Sequence, residues 1–254
     1  IPEGASEFKQ PVEISGRCKV LVMGDLHIPY HDKRAVETAI NYAVKHGCDT
    51  LYLNGDFGDY YQISRFDKDP ENRDLADEIE IQEQVLDILA PLFKRKFLKC
   101  GNHDERWEKY IFRNAPELGR VAKLRLPKIL ELEQRGYQWV DSKQWAMIGA
   151  CPTFHGHEIG GSSPVNAARG AYLKANNTVV VNHHHRTSQH VETQSLSQTQ
   201  IVTWSIGCLC DLRPSYAVIN KYNLGFATID VDSDGSFEFT NLRIDHTNNY
   251  KIYR

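Results

Sequence analysis

The stretch Leu51-Tyr52-Leu53-Asn54-Gly55-Asp56-Phe57-Gly58-Asp59 decides the fold. An apolar run that empties into Asn-Gly-Asp predicts a buried strand ending in a loop, which is where an open α/β sheet carries its polar chemistry. Asp56 then stands at the carboxyl edge of a sheet. Four further stretches have the same form, an apolar run followed by carboxylate, amide or imidazole: Gly24-Asp25-Leu26-His27, Gly101-Asn102-His103-Asp104, Phe154-His155-Gly156-His157 and Asn182-His183-His184-His185.

Upstream of that stretch, residues 18–23 predict a strand. Asp32 offers an N-cap for a helix in which Ala35, Val36, Ala39, Ile40, Ala43 and Val44 recur at helical spacing until Gly47 stops it. Strand, helix and the strand at 50–53 form a βαβ unit, hence a parallel pair with Asp25 and Asp56 at neighbouring strand ends. Downstream, the aromatic residues 60–70 are expected to loop over the site. Residues 72–93 predict an amphipathic helix with Leu75, Ile79, Val85, Leu86, Ile88, Leu89 and Leu92 inward and a solvated acidic outer face.

A third strand over 96–100 leads into Gly101-Asn102-His103-Asp104, with a helix beginning within 104–108. Helix interrupted by Pro116 and Pro127 is expected over 115–135. Strands follow at 137–140, 145–150, 178–181, 201–206, 226–231 and 237–244, the last two joined by a hairpin at Asp232-Ser233-Asp234-Gly235. The expected fold class is α/β, with two sheets packed face to face and flanked by helices.

A chain of 254 residues that is 41% hydrophobic can bury a sizeable core. Residues 18–254 are read as a single domain and 1–17 as an N-terminal extension. No apolar run approaches the roughly 20 residues of a membrane span, and no membrane association or leader segment is expected. Cys18, Cys48, Cys100, Cys151, Cys208 and Cys210 lie in or beside apolar runs and read as reduced core thiols of a cytoplasmic protein. Residues 94–128 hold 11 Lys or Arg against 4 Asp or Glu in a chain of net charge -3. That segment is either a solvated face or a positive surface beside the site for a polyanionic substrate.

Oxygen ligands plus imidazoles suit a first-row divalent cation without any thiolate. Asp25, His27, Asp56, Asn102, His155, His183 and His185 supply seven candidate ligands, enough for two ions that share one carboxylate. Two ions roughly 3.5 to 4 Å apart clamp a phosphoryl group and acidify a bridging water. Residues two apart in an extended segment point the same way, so Asp25 and His27, or His183 and His185, can act together.

These five motifs, in this order, resemble the calcineurin-like metallophosphoesterases over roughly residues 18–210. The resemblance implies that Asp25, His27, Asp56 and His185 hold one metal ion, and that Asp56, Asn102, His155 and His183 hold the other. It further implies that His103 is the general acid or transition-state stabiliser, positioned by Asp104. His155 is preferred to His157 as ligand because Gly156 follows it as in the family. Two positions depart from the family pattern: Asn182 replaces the usual Gly before the paired histidines, and Tyr61 replaces a Gly that often follows Asp59 by one residue. The stretch Ser205-Ile206-Gly207-Cys208-Leu209-Cys210-Asp211 is similar to phage-borne members.

Two divalent metal ions are the cofactors implied, Mn²⁺ first, with Fe, Zn, Ni or Mg as alternatives. Tyr60, Arg65, Arg106 and Arg186 are expected to contact substrate. The Arg that the protein phosphatase branch carries soon after its second Asp motif is absent here. Phosphodiesters therefore rank first as substrate, a nucleotide or nucleic acid whose bases Trp107, Tyr110 and Phe112 would stack against. A broad-range phosphomonoesterase ranks second and a metal-binding scaffold without turnover third. No obligate protein partner is expected.

Overall fold

The βαβ unit is present in the computed structural model, which describes residues 3–68, 74–159 and 165–254. Strand β1 (Val12–Ile14) precedes it, and the unit itself comprises β2 (Cys18–Met23), α1 (Lys33–Lys45) and β3 (Thr50–Leu53). β2 and β3 pair in parallel with Val22 opposite Tyr52. Asp32 caps α1 by accepting the Ala35 N–H at 3.0 Å, and Gly47 ends it at a φ of 72°. Ala35, Val36, Ala39 and Ala43 are the buried face.

The chain continues through α2 (Leu75–Leu89), β4 (Arg95–Lys99), α3 (Glu105–Asn114), α4 (Leu126–Ile129), β5 (Tyr137–Val140), β6 (Ala146–Ile148), β7 (Cys151–Phe154), α5 (Ala167–Ala175) and β8 (Val179–Val181). It ends with β9 (Ser188–Thr193), β10 (Gln200–Ser205), β11 (Leu224–Val231), β12 (Phe237–Asp245) and β13 (Lys251–Tyr253). One sheet has the order β13-β12-β11-β2-β3-β4-β5 and the other β1-β6-β7-β8-β10-β9. Strand alternation divides the apolar residues between two layers. Val20, Val22, Tyr52, Phe97, Ala227 and Ile229 of the first sheet meet Ile14, Ala146, Ile148 and Val180 of the second. Leu21, Met23, Leu51, Leu53 and Leu98 face the other way, against α1 and α2, while α5 covers the second sheet through Ala171, Val179 and Val181. The result is the α/β two-sheet sandwich.

Several elements differ from expectation. β1 pairs in parallel with β6, so the end of the segment set apart as an extension is a strand of the second sheet. The face that α2 turns inward carries Glu78, Gln82, Leu86 and Leu89, while Ile88 is 63% and Leu92 41% exposed. The acidic side is therefore not wholly solvated, because Tyr60 draws two polar groups inside: its N–H donates to Glu78 at 2.6 Å and its hydroxyl to Gln82 at 2.6 Å. Residues 115–135 hold only short turns of helix and α4. Residues 69–70 of the loop expected over the site, and 72–73 of the expected helix, lie outside the described residues.

The basic segment does not form one face. Arg95 reaches Ser15 and Thr50 at the amino end of β4. Lys99 is buried, and Arg106 lies beside His103 at the opposite end. Trp107 is committed to the fold by an indole N–H donated to the Leu124 carbonyl at 2.7 Å.

Candidate metal centre

All five motifs leave the carboxyl ends of strands. β2 delivers Asp25 and His27, β3 delivers Asp56, β4 delivers Asn102, β7 delivers His155, and β8 delivers His183 and His185. The site thus straddles the edges of both sheets. Two glycines make the approach of these ends possible. A Cβ on Gly55 (φ 85°) would lie 2.5 Å from the His155 ring, and one on Gly101 would lie 2.3 Å from both N and Oδ1 of Asp56. Five of the converging residues adopt left-handed backbone themselves: Asp25, His27, Asp56, His183 and His185 have φ between 47° and 66°.

Each carboxylate spends one oxygen on backbone and turns the other inward. Asp25 Oδ2 accepts the His183 N–H at 2.9 Å, and Asp56 Oδ1 accepts the His103 N–H at 2.8 Å. The imidazoles divide their nitrogens in the same way, as metal-ligating histidines do. His155 Nδ1 donates to the Asn54 carbonyl at 2.7 Å, leaving Nε2 3.2 Å from Asp56 Oδ2. His27 Nδ1 meets Asp59 Oδ1 at 3.1 Å, and its Nε2 faces His185 Nε2 at 3.2 Å. His185 Nε2 is also 3.5 Å from Asp25 Oδ1, and its Nδ1 lies 3.9 Å from Cys210 Sγ.

Asp25, His27 and Asp56 form one group whose donor atoms lie within 4.8 Å of one another, and Asp56, His155 and His183 form another. Asp56 belongs to both. Asp25 Oδ1, Asn102 Oδ1 and His155 Nε2 are buried without a hydrogen-bond partner. Buried polar atoms are normally satisfied, and donor atoms about 3 to 4 Å apart are those that share a cation about 2 Å from each. These residues fit a pair of divalent ions.

The electrostatics agree with that fit. Burial alone would raise Asp25, but His185 and His155 bring it down to about 2. Asp56 is likewise held well below the usual carboxylate range by His155 and His103 against its burial. Burial opposes charge on His155, yet Asp56 and Asp25 lift it to about 10. His183 is pushed down to about 4 by burial and by His155.

His103 lies beside the first group, its ring centroid 4.3 Å from that of His27. Its Nδ1 faces Asp59 Oδ1 at 3.0 Å, and its Nε2 accepts from Arg106 at 3.0 Å. Asp104, expected to position His103, instead accepts the backbone N–H groups of Gly101 at 2.8 Å and Gly58 at 3.2 Å. It fixes the loop and Asp59 orients the ring. Tyr60, expected to contact substrate, is fully buried. Arg65 is exposed with its guanidinium 5.5 Å from the Phe66 ring, and Arg186 is half-buried next to His185.

Other supporting residues carried little sequence signal. Asn182 is fully buried; its Oδ1 accepts from Asn54 Nδ2 at 2.8 Å and its amide fills the space beside Gly24. That contact accounts for an amide where the related pattern has Gly. Tyr222 lies with its ring 4.5 Å from that of His185, and Glu158 accepts the Gly156 N–H at 2.7 Å. Apolar-to-polar patterning does not mark Asn182 or Tyr222, because each acts through a contact remote in sequence.

A model of the calcineurin-like phosphoesterase family matches residues 18–202. The gene 54 protein of Mycobacterium phage L5 is 25% identical over 228 residues, covering 84% of this chain and 89% of its own. Among solved structures, Chaetomium thermophilum Vps29 is similar at a TM-score of 0.51 and 12% identity, covering 93% of this chain and 95% of its own. A dimetal phosphatase from Danio rerio gives a TM-score of 0.46 at 9% identity, covering 90% and 96%.

Proposed function

The chain belongs to the calcineurin-like phosphoesterase family, and on that premise we propose that it hydrolyses phosphodiesters, with a nucleotide or nucleic acid as substrate. Members of this family generally hydrolyse phosphoesters with a dinuclear divalent metal site. The observation that carries the reading is the convergence of two donor groups on the shared carboxylate of Asp56, with unpartnered donor atoms buried between them. Asp25, His27, Asp56 and His185 would hold one ion, and Asp56, Asn102, His155 and His183 the other. Mn²⁺ ranks first on the oxygen and imidazole donor set. When bound, such ions polarise the phosphoryl group and supply an activated water.

The chain's own residues do the rest. Asp59 holds Nδ1 of His103 and so turns Nε2 toward the leaving oxygen, which His103 protonates as general acid. Arg106 donates to that same Nε2 and, at 2.6 Å, to the Asp59 carbonyl, so His103 acts as the acid only after a substrate phosphate has drawn the guanidinium away and Nε2 has taken up a proton from solvent. No second guanidinium follows Asp59 to clamp a monoester dianion, because that position is Tyr60, buried in the core. This favours the diester. The six free, buried cysteines support a reducing compartment, the cytoplasm, as its setting.

The test compares bis(p-nitrophenyl) phosphate with p-nitrophenyl phosphate under Mn²⁺ and under EDTA, for the wild type and Asp56→Asn. Diester turnover that EDTA abolishes and Asp56→Asn lacks is the expected result. Dominant monoester turnover would replace the diester reading, and metal binding with no turnover of either ester would replace it with a non-catalytic role.

A further inference from the structure

For three of the histidines assigned to the metal ions, the nitrogen turned away from the site has a holder, and in one case the holder is sulfur. His155 Nδ1 donates to the Asn54 carbonyl at 2.7 Å, and His27 Nδ1 is 3.1 Å from Asp59 Oδ1. For His185 the contact is to a thiol: Nδ1 lies 3.9 Å from Cys210 Sγ, and both residues are buried.

The donor set gives that contact a direction. Nε2 of His185 faces the site, 3.2 Å from His27 Nε2 and 3.5 Å from Asp25 Oδ1, so a metal-bound His185 is neutral with its one proton on Nδ1. That proton points at sulfur, and Cys210 Sγ accepts it. The Cys210 thiol in turn hydrogen-bonds the Cys208 side chain, and Cys208 Sγ donates to the Asn223 carbonyl at 3.6 Å. Each donor in the series has an acceptor, and the series ends on backbone.

The segment that carries the two thiols is tied into the site at further points. Leu209, between them, donates its N–H to the Asp25 carbonyl at 3.1 Å and accepts the Asp32 N–H at 2.8 Å. Cys208 N–H donates to the Asn223 carbonyl at 3.0 Å, and Asn223 N–H donates to the His185 carbonyl at 2.9 Å. The Tyr222 ring, 4.5 Å from that of His185, packs against the imidazole. An aliphatic side chain would fill the place of either cysteine as well, but it could accept nothing from His185.

We propose that Cys210 is a positioning residue for the metal centre: its sulfur accepts the Nδ1 proton of His185 and so presents Nε2 to the first ion, with Cys208 holding the thiol in place. The proposal rests on the assignment of His185 as a ligand. Partners of this kind fix the tautomer and ring orientation of a ligating histidine. His27, His185 and Cys210 also present donor atoms within 4.8 Å of one another, so a thiol behind the imidazole has to be told apart from a thiolate on the ion. Ring geometry favours the former. The lone pairs of Nδ1 and Nε2 diverge, so an ion on Nε2 beside Asp25 is turned away from a sulfur at Nδ1.

Two measurements on the wild type decide this, and neither depends on turnover. In Zn²⁺-loaded protein, heteronuclear NMR of the imidazole nitrogens should show His185 with its proton on Nδ1, in slow exchange with water. In Co²⁺-loaded protein, the near-ultraviolet spectrum should lack a thiolate-to-cobalt charge-transfer band. Both readouts hold whether or not a variant folds. Cys210→Ala then removes the acceptor and Cys210→Ser restores a hydroxyl in its place. Calorimetric titration is expected to show Zn²⁺ affinity down about tenfold at one of the two sites in Cys210→Ala, with most of it recovered in Cys210→Ser. A His185 proton on Nε2 or in fast exchange would overturn the proposal, as would wild-type affinity at both sites in Cys210→Ala. A cobalt charge-transfer band that Cys210→Ser abolishes would overturn it by making Cys210 a ligand. Wild type that binds no Zn²⁺ would overturn the metal-centre reading itself and this proposal with it, a result distinct from any of the others.

Discussion

Asp59 Oδ1 lies 3.0 Å from His103 Nδ1, and the same oxygen lies 3.1 Å from Nδ1 of His27. One carboxylate atom therefore orients both the ring assigned to proton transfer and a ring assigned to a metal ion. Asp59→Asn is expected to lower kcat by ~10²- to 10⁴-fold at saturating metal through His103, and metal affinity by ~10- to 100-fold through His27. Steady-state kinetics at high Mn²⁺ and a separate metal titration distinguish the two effects. An unchanged kcat at saturating metal would show that Asp59 does not orient the acid.

Gly101 has no room for a side chain, since a Cβ there would meet Asp56 N and Oδ1 at 2.3 Å. Gly101→Ala should displace the shared carboxylate and reduce both metal content and turnover by at least about 100-fold, an effect of roughly 3 kcal/mol in transition-state terms. Elemental analysis and kinetics on the purified variant read both. Full metal occupancy with normal turnover would mean that the loop yields without moving Asp56.

In the metal-stripped protein, burial opposes charge on His155 and His185, but Asp56 and Asp25 raise them to about 10 and about 9. Both imidazoles are then protonated at pH 7, and a cation binds only the deprotonated nitrogen. Metal binding at pH 7 must expel those protons, so apparent affinity rises with pH and levels off above about 9 to 10. Calorimetric titration with Mn²⁺ at pH 7, in two buffers of different ionisation enthalpy, should show a release of about two protons per protein. No buffer dependence would contradict the protonated pair.

Burial raises Glu78 to about 8 despite the hydrogen bond from the Tyr60 N–H. Its folded value lies above the unfolded one of 4.5, so the unfolded chain loses this proton first as pH rises. The contribution to stability is whole below about pH 4.5 and is lost progressively toward about pH 8. Glu78→Gln, which keeps an acceptor and never ionises, should melt several degrees higher than the wild type at pH 8 and level with it at pH 5. Scanning calorimetry at the two pH values checks this; equal shifts at both would remove ionisation as the cause.

The strand tips were legible because burial and chemistry alternate abruptly along the chain: Leu51 to Leu53 is wholly apolar-facing and Asp56 follows three residues later. Parallel pairing of β2 with β3 and the α1 cap came from the same local signals. The partner of His103 was not legible by proximity, since Asp104 is adjacent in sequence but turns to backbone amides, while Asp59 arrives from another loop. Nor was the inward face of α2, where hydrogen bonding by Tyr60 outweighs the hydropathy of Ile88 and Leu92. Short strands such as β1 and β9 escaped because Val12–Ile14 is three residues long with Glu13 at its centre and the polar run Ser188–Thr193 carries little apolar pattern.

The left-handed backbone of Asp25, His27, Asp56, His183 and His185 bears on how such a chain changes over time. Glycine would relieve about 1 kcal/mol of steric conflict at each of these positions while deleting the donor it carries. Stability and chemistry therefore pull in opposite directions at the same five residues. Without selection for turnover, drift toward glycine would be favoured first at His27, His183 and His185, since Asp25 and Asp56 still hold the His183 and His103 N–H groups.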